Sequence, residues 1–300
     1  MAAKLYRKRR WLVDVVMTIK ARAKINLTLD VLGKRPDGYH EVEMVMQSIG
    51  LYDCLEFTPV SEGITILVEG GDLPAGEDNL VHRAASCIRT HGGIRNGIEI
   101  RLKKSIPVAA GLGGGSADAA ATLAGLNTIW GLGLTLRELM LLGEQLGSDV
   151  PFCLMEGTAL ARGRGEKLMR LPPCPSLGLV LVKPSFGVST AAVYQACSPG
   201  KLKNKPGSGD MVEAIKKRDP GVIAERLYNA LEPVTFAMHP EVLVIKEKLL
   251  EAGALGALMS GSGPTVFGLT GDLREARGVA GRYQKLAGEQ VLITRTWNSG

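Results

Sequence analysis

Six consecutive residues, Gly111-Leu-Gly-Gly-Gly-Ser116, carry the strongest chemical signal in this 300-residue chain. Glycines let a backbone take positive φ and approach a ligand without Cβ contact. An Ala-rich helical stretch, Ser116 to Asn127, follows directly, with Ser116 in position to cap it. The unpaired N–H groups and the dipole at such a helix start favour a polyphosphate. A tight turn that serves only close helix packing is the plainer alternative. Two common phosphate-binding signatures fit poorly. GxxxxGK[ST] needs a lysine that the turn lacks, and GxGxxG is broken here by Ser116, with Gly131 and no strand where an acidic residue is required.

Other residues have ordinary local readings. Asp149 and Ser148 precede Pro151, so Asp149 reads as a helix cap. Lys24 and Asn26 share one face of a strand, because side chains alternate, and Lys24 reads there as a solvated lysine. Tyr39 and His40 follow the turn Arg35-Pro-Asp-Gly38 as loop residues. Asn79 stands where it would cap a helix.

The elements that position these residues alternate between helix and strand. Ile25, Leu27, Leu29 and Val31 alternate with Lys24, Asn26, Thr28 and Asp30, which predicts a strand with one buried face. Strands are predicted at Ile64–Val68 and Ile98–Leu102, with a helix at Asn79–Arg89 between them. Helices follow at Leu136–Leu146 and from Val150 to Met155, with Pro151 in the first turn. The segment Leu171-Pro-Pro-Cys-Pro-Ser176 reads as a boundary, and the apolar run Leu177–Val182 as a buried strand. Ser198–Asp210 reads as an exposed loop. Beyond it, helices alternate with strands at Ala254–Met259, Thr265–Leu269 and Val291–Trp297. The expected architecture is α+β, with two domains at 18–171 and 172–300.

Composition narrows the function class. The hydrophobic fraction is 45% and the charged fraction 22%, both ordinary for a globular chain. The net charge of +6 is concentrated at one end: residues 1–24 hold eight basic side chains against Asp14 alone, and the rest is nearly neutral. No basic stripe interleaved with aromatics follows, so no nucleic-acid partner is expected. The five cysteines are scattered without a CxxC pair, which argues against structural zinc and a disulfide framework and fits a reducing cytoplasm. Trp11–Ile19 is too short and too broken by Asp14 for a secretion signal, and no run is long enough to cross a membrane. Met17 is a second candidate start, with residues 1–16 an upstream extension. The sequence carries no signal for oligomeric state.

The stretch Pro107-Val-Ala-Ala-Gly-Leu-Gly-Gly-Gly-Ser-Ala-Asp-Ala-Ala-Ala121 resembles the phosphate-binding motif of the superfamily of galactokinase, homoserine kinase, mevalonate kinase and phosphomevalonate kinase. Three more segments narrow the resemblance: Ala23-Lys-Ile-Asn-Leu27 with Arg35-Pro-Asp-Gly-Tyr-His40, Gly147-Ser-Asp-Val-Pro-Phe152, and Ser260-Gly-Ser-Gly-Pro264. Together, from about Lys20 to Trp297, they resemble the branch that phosphorylates 4-diphosphocytidyl-2-C-methyl-D-erythritol in the non-mevalonate isoprenoid route. The resemblance implies a two-domain fold with the site in the cleft, ATP as co-substrate and magnesium held mainly by phosphates, with no dedicated protein metal site.

By the same resemblance Asp149 is the catalytic base and Lys24 its partner. Pro107, Val108, Ala109, Ala110, Gly111, Leu112, Gly113, Gly114, Gly115, Ser116 and Ala117 hold the nucleotide, and Asn79 faces the adenine side. Asn26, Tyr39 and His40 contact the acceptor, with Tyr194 or its rival Phe186 against the cytosine. The 260–264 turn packs near the phosphate loop. Homoserine or phosphomevalonate is the alternative acceptor, and Tyr39-His40 is the discriminating pair, since neither of those has a cytosine to stack.

Overall fold

The computed structural model describes residues 17–70, 74, 76–198 and 206–298. The basic segment 1–16 and the middle of the 198–210 loop lie outside the described residues.

The chain opens with two long strands, β1 (Met17–Lys34) and β2 (His40–Val60), paired antiparallel across the Arg35–Gly38 turn. Next come β3 (Ile64–Glu69), α1 (Leu80–His91), β4 (Gly97–Lys103) and α2 (Gly114–Ile129). Two shorter helices, α3 (Leu136–Glu144) and α4 (Val150–Met155), lead to the hairpin β5 (Thr158–Gly163) and β6 (Lys167–Arg170). The second half holds β7 (Gly178–Lys183), α5 (Thr190–Ala196), α6 (Ser208–Lys217), α7 (Pro220–Glu225) and β8 (Tyr228–Asn229). It ends with α8 (Glu232–Met238), α9 (Pro240–Glu251), β9 (Gly256–Met259), β10 (Val266–Thr270), α10 (Leu273–Arg282) and β11 (Gln290–Arg295).

The fold is α+β, built on two sheets. The larger runs β3-β4-β2-β1-β8, with β5 and β6 added along β2; the smaller runs β11-β7-β10-β9 and is antiparallel throughout. The halves are stitched together. β8 pairs in parallel with β1, Ile49 bridges Thr296, and the Gln47 amide donates to the Trp297 carbonyl at 2.7 Å.

The expected single buried face of β1 is corrected. Both faces are buried: Lys24 is 5% exposed and Asn26 1%. The alternation also breaks. Asn26 pairs with Met46 and Thr28 with Val45, so β1 carries one extra residue there, and a bulge moves the following side chains to the opposite face. Ala23, Ile25 and Leu27 therefore pack with Leu179, Leu181 and Phe267 of the smaller sheet. Leu29 and Val31 belong to a different cluster with Met44, Met46 and Phe152.

β2 is not predicted from the sequence; it is buried on both faces over Met44–Ile49, where no period of two is visible, whereas buried and half-buried residues alternate from Asp53 to Thr58. β5 and β6 were not read either. Ser116 does not cap α2. That helix already begins at Gly114, after Gly113 at φ 69°, and Ser116 lies inside its first turn. The exposed loop ends earlier than expected, since α6 starts at Ser208. Among the described residues, no helix is long and apolar enough to cross a membrane.

Candidate active site

A cavity of about 1020 Å³ lies among β1, the loop Pro107–Ser116, the start of α4, the β5–β6 turn, α5 and the β9–β10 turn. Every expected site residue lines it except Ala117, whose methyl is buried in the core and whose N–H donates to the Gly113 carbonyl at 2.9 Å. As the fourth residue of α2, Ala117 has entered the helical hydrogen-bond ladder and has no free donor for a ligand.

The loop is held by β1 and by the β9–β10 turn. The Lys24 N–H donates to the Leu112 carbonyl at 2.9 Å, and the Ser260 hydroxyl donates to the Gly111 carbonyl at 3.0 Å. A Cβ at Gly111 would lie 2.2 Å from the Ser260 carbonyl oxygen, so the two turns close only because that residue is glycine. A Cβ at Gly113 would lie 2.9 Å from Lys24 Cγ, and its φ of +69° is the left-handed region besides. Close packing thus requires glycine at both positions. Asn229 fastens the opposite turn by donating to the Met259 and Gly261 carbonyls, each at 2.8 Å.

Beneath the loop lies a buried charge cluster that the sequence reading missed. Lys104 Nζ pairs with Asp118 at 2.7 Å and with Asp53, and Asp53 also accepts the N–H groups of Ser105 and Ile106. Burial pulls the Lys104 ammonium down, but the two carboxylates outweigh it and hold its pKa above the ordinary range. Burial pushes the Asp118 carboxyl up to about 7; Lys104 opposes this and Asp53 adds to it. The available signal was a lone aspartate inside an otherwise apolar helix.

Asp149 occupies the N-cap position of α4, yet its side chain makes no capping hydrogen bond. Its carboxylate lies instead 3.2 Å from Lys24 Nζ, with side-chain exposures of 28% and 7% respectively. Lys24 Nζ also donates to Asn26 Oδ1 at 3.0 Å, which fixes the ammonium between them. A Cβ at Gly261 would lie 3.6 Å from the same nitrogen, so the β9–β10 turn covers the pair.

At the other end, His40 and Tyr194 rings lie 5.4 Å apart, tilted by 38°. Burial, with the nearby Asp149 carboxylate, pushes the Tyr194 phenol above its ordinary range. Phe186 stacks on His239 at 4.9 Å and does not line the cavity. Tyr39 is 55% exposed, with the Arg164 guanidinium 4.9 Å from its ring centroid. Asn79 does cap α1: it accepts from the Val81 N–H at 2.9 Å and donates to the Pro74 carbonyl at 2.7 Å.

Two family models match the chain: "GHMP kinases N terminal domain" over residues 79–157 and "GHMP kinases C terminal" over residues 211–287. A protein of Pelotomaculum thermopropionicum, named 4-diphosphocytidyl-2-C-methyl-D-erythritol kinase, is 68% identical over 95% of this chain and 99% of its own length.

The chain belongs to the 4-diphosphocytidyl-2-C-methyl-D-erythritol kinase family of GHMP kinases.

A Moorella thermoacetica relative of the same name is 51% identical over 94% of this GHMP kinase and 99% of its own length. A crystal structure of 4-(cytidine 5'-diphospho)-2C-methyl-D-erythritol kinase superposes with a TM-score of 0.80 at 35% identity, covering 95% of this chain and 100% of that one. A homoserine kinase from Cytophaga hutchinsonii shares the fold at a TM-score of 0.76 and 23% identity, over 94% of this GHMP kinase and 95% of that chain. The glycine loop and the Asp149 segment fall inside the first family match, whereas Lys24 and the Tyr39–His40 pair precede it.

Proposed function

We infer that this chain transfers the γ-phosphoryl group of ATP to the 2-hydroxyl of 4-diphosphocytidyl-2-C-methyl-D-erythritol, a step of isoprenoid precursor synthesis. The family supports the reaction. What supports the residue roles is the Lys24–Asp149 pair, 3.2 Å apart in a cavity walled by the glycine loop.

In this reading the loop Pro107–Ser116 and the first-turn N–H groups of α2 bind the triphosphate, with Asn79 on the adenine side. Asp149 accepts the proton of the attacking hydroxyl. As it leaves, the alkoxide oxygen bonds to the γ-phosphorus and the bond to the ADP oxygen breaks. Lys24 Nζ, 3.2 Å from the Asp149 carboxylate, orients it, and its ammonium faces the charge on the transferring group. Tyr39, His40 and Tyr194 enclose the cytosine, and Asn26 orients the acceptor through Lys24. The two domains, 18–171 and 172–300, flank the cleft, with the second lending β8 to the larger sheet.

Magnesium fits the donor set. Ser116 offers a hydroxyl at the cavity wall, and no cluster of three or more His, Cys, Asp or Glu side chains occurs among the described residues. An ion held mostly by phosphate oxygens and water, with Ser116 as its protein ligand, suits that chemistry. When bound it neutralises charge on the β and γ oxygens. A cytoplasmic setting agrees with five free cysteines.

Asp149→Asn tests the roles. It keeps the side chain's shape, so melting should change little. Turnover should fall by roughly 10²–10⁴-fold with ATP affinity nearly unchanged. Normal turnover in the folded variant would remove Asp149 as the base.

A further inference from the structure

The β9–β10 turn stands over the Lys24–Asp149 pair, and its backbone carbonyls are all held. Asn229, at the end of β8, donates its carboxamide to the Met259 and Gly261 carbonyls at 2.8 Å each. Thr235, inside α8, donates its hydroxyl to the Ser262 carbonyl at 3.2 Å. The Ser260 carbonyl accepts the Gly263 N–H at 2.9 Å. Asn229 and Thr235 are 2% and 0% exposed, and neither lines the cavity.

The N–H groups of Gly261 and Ser262 are in the opposite condition. Neither donates to an acceptor among the described residues, and both residues line the cavity. The Ser262 hydroxyl is engaged with the Thr190 hydroxyl at 2.8 Å. The Gly261–Ser262 peptide is trans, so its N–H points opposite to its carbonyl. That carbonyl is on the buried Asn229, which turns the N–H away from Asn229. We propose that the Ser262 N–H donates to the transferring phosphoryl group, with Asn229 and Thr235 as the positioning residues that keep it facing the cavity. The inference deepens the proposed reaction and rests on it.

Two clasps are needed because glycines flank the unit. Gly261 has φ +57° and Gly263 φ +85°, and backbone beside glycine rotates with little steric resistance. A Cβ at Gly261 would lie 3.6 Å from Lys24 Nζ, so this backbone is next to the ammonium. Rotated by half a turn, the Gly261–Ser262 unit would present a carbonyl oxygen to the cavity in place of an N–H. That oxygen would compete with Asp149 for the ammonium and repel a phosphoryl group whose charge is spread over its equatorial oxygens. The N–H instead adds a fixed donor beside Lys24, and such a donor stabilises developing charge with no reorganisation at the moment of reaction.

Thr235→Val keeps the side chain's shape and removes the hydroxyl, whereas Asn229→Ala removes both carboxamide bonds. With the full chain, kcat should fall roughly 10-fold in Thr235→Val and about 100-fold in Asn229→Ala. The KM values for ATP and acceptor, and the Kd for ADP, should stay within about twofold. Thr235→Ser should restore most of the rate. Aluminium fluoride with ADP and acceptor mimics the transferring group, and its tightening of ADP should weaken in step with kcat. A folded Thr235→Val variant with unchanged kcat overturns the proposal, whether or not Asn229→Ala folds. ADP affinity that falls as far as kcat overturns it too, because the residues would then serve only the glycine loop through Ser260. An unmodified protein without acceptor-dependent ATP consumption overturns the reaction itself.

Discussion

The two ends of the cavity are built on different principles. The end proposed for the nucleotide is backbone: a run of glycines, the start of a 16-residue helix, and a buried lysine with two carboxylates fastening the strand exit below. The end proposed for the acceptor is side chains, from a turn after β1, a hairpin and α5, with Tyr39 more than half exposed. The pair proposed to react, Lys24 and Asp149, lies where the two meet. A polyphosphate common to many reactions can be held by peptide N–H groups, whose geometry is local. A particular acceptor must be read by groups that differ chemically, and those come from distant segments.

The largest expected effect is at the junction. Lys24→Met should lower kcat on the scale of Asp149→Asn, and the double variant should be scarcely slower than the poorer single one, because the pair acts as a unit. Multiplicative losses in single-turnover rates would show that the two residues act separately.

Gly113→Val probes the backbone end. It forces a β-branched residue into left-handed φ, at a cost on the order of 1–3 kcal/mol, and drives a side chain into the Lys24 stem. ATP affinity and turnover should both collapse, with a lower melting temperature. Unchanged ATP binding in a folded Gly113→Val variant would break the distinction between the two ends.

Tyr39→Ala probes the side-chain end. Loss of a stacked ring costs roughly 1–3 kcal/mol, or about 5–150-fold, so the acceptor KM should rise while the KM for ATP barely moves. Equal losses for both substrates would make Tyr39 a structural residue.

The smallest effect concerns Asp118. Its folded carboxyl holds a proton to about pH 7, whereas an unfolded aspartate releases it near pH 4. The folded state therefore binds more protons between these values, and stability falls as pH rises through that window. Asp118→Asn carries no such proton, and Asp53 remains to pair Lys104. The variant's melting temperature relative to the unmodified protein should climb between about pH 4 and 7 and level off above. A gap independent of pH would mean that Asp118 ionises normally in the fold.

The glycine loop, the helix after it and most strands of the second half were legible in the sequence, because each depends on short-range rules of φ, period and capping, whereas the site roles of Lys24, Asp149, Tyr39 and His40 came only from family resemblance. The readings that failed depend on what covers an element. Lys24 reads as solvated on a polar face, and is buried because the β9–β10 turn, some 240 residues away, closes over it. β2 lacks alternation over Met44–Ile49 because both of its faces are buried there.

By itself the sequence determined a glycine-rich turn leading into a helix and a set of candidate polar residues, since glycine conformations and helix starts are written locally. The tertiary structure alone decided what those residues face. Local rules make Asp149 a cap; only the bulged register of β1 brings an ammonium to 3.2 Å and turns its carboxylate to Lys24. Charge pairing acts through space, and no spacing along the chain encodes which opposite charge will be nearest once two sheets have packed.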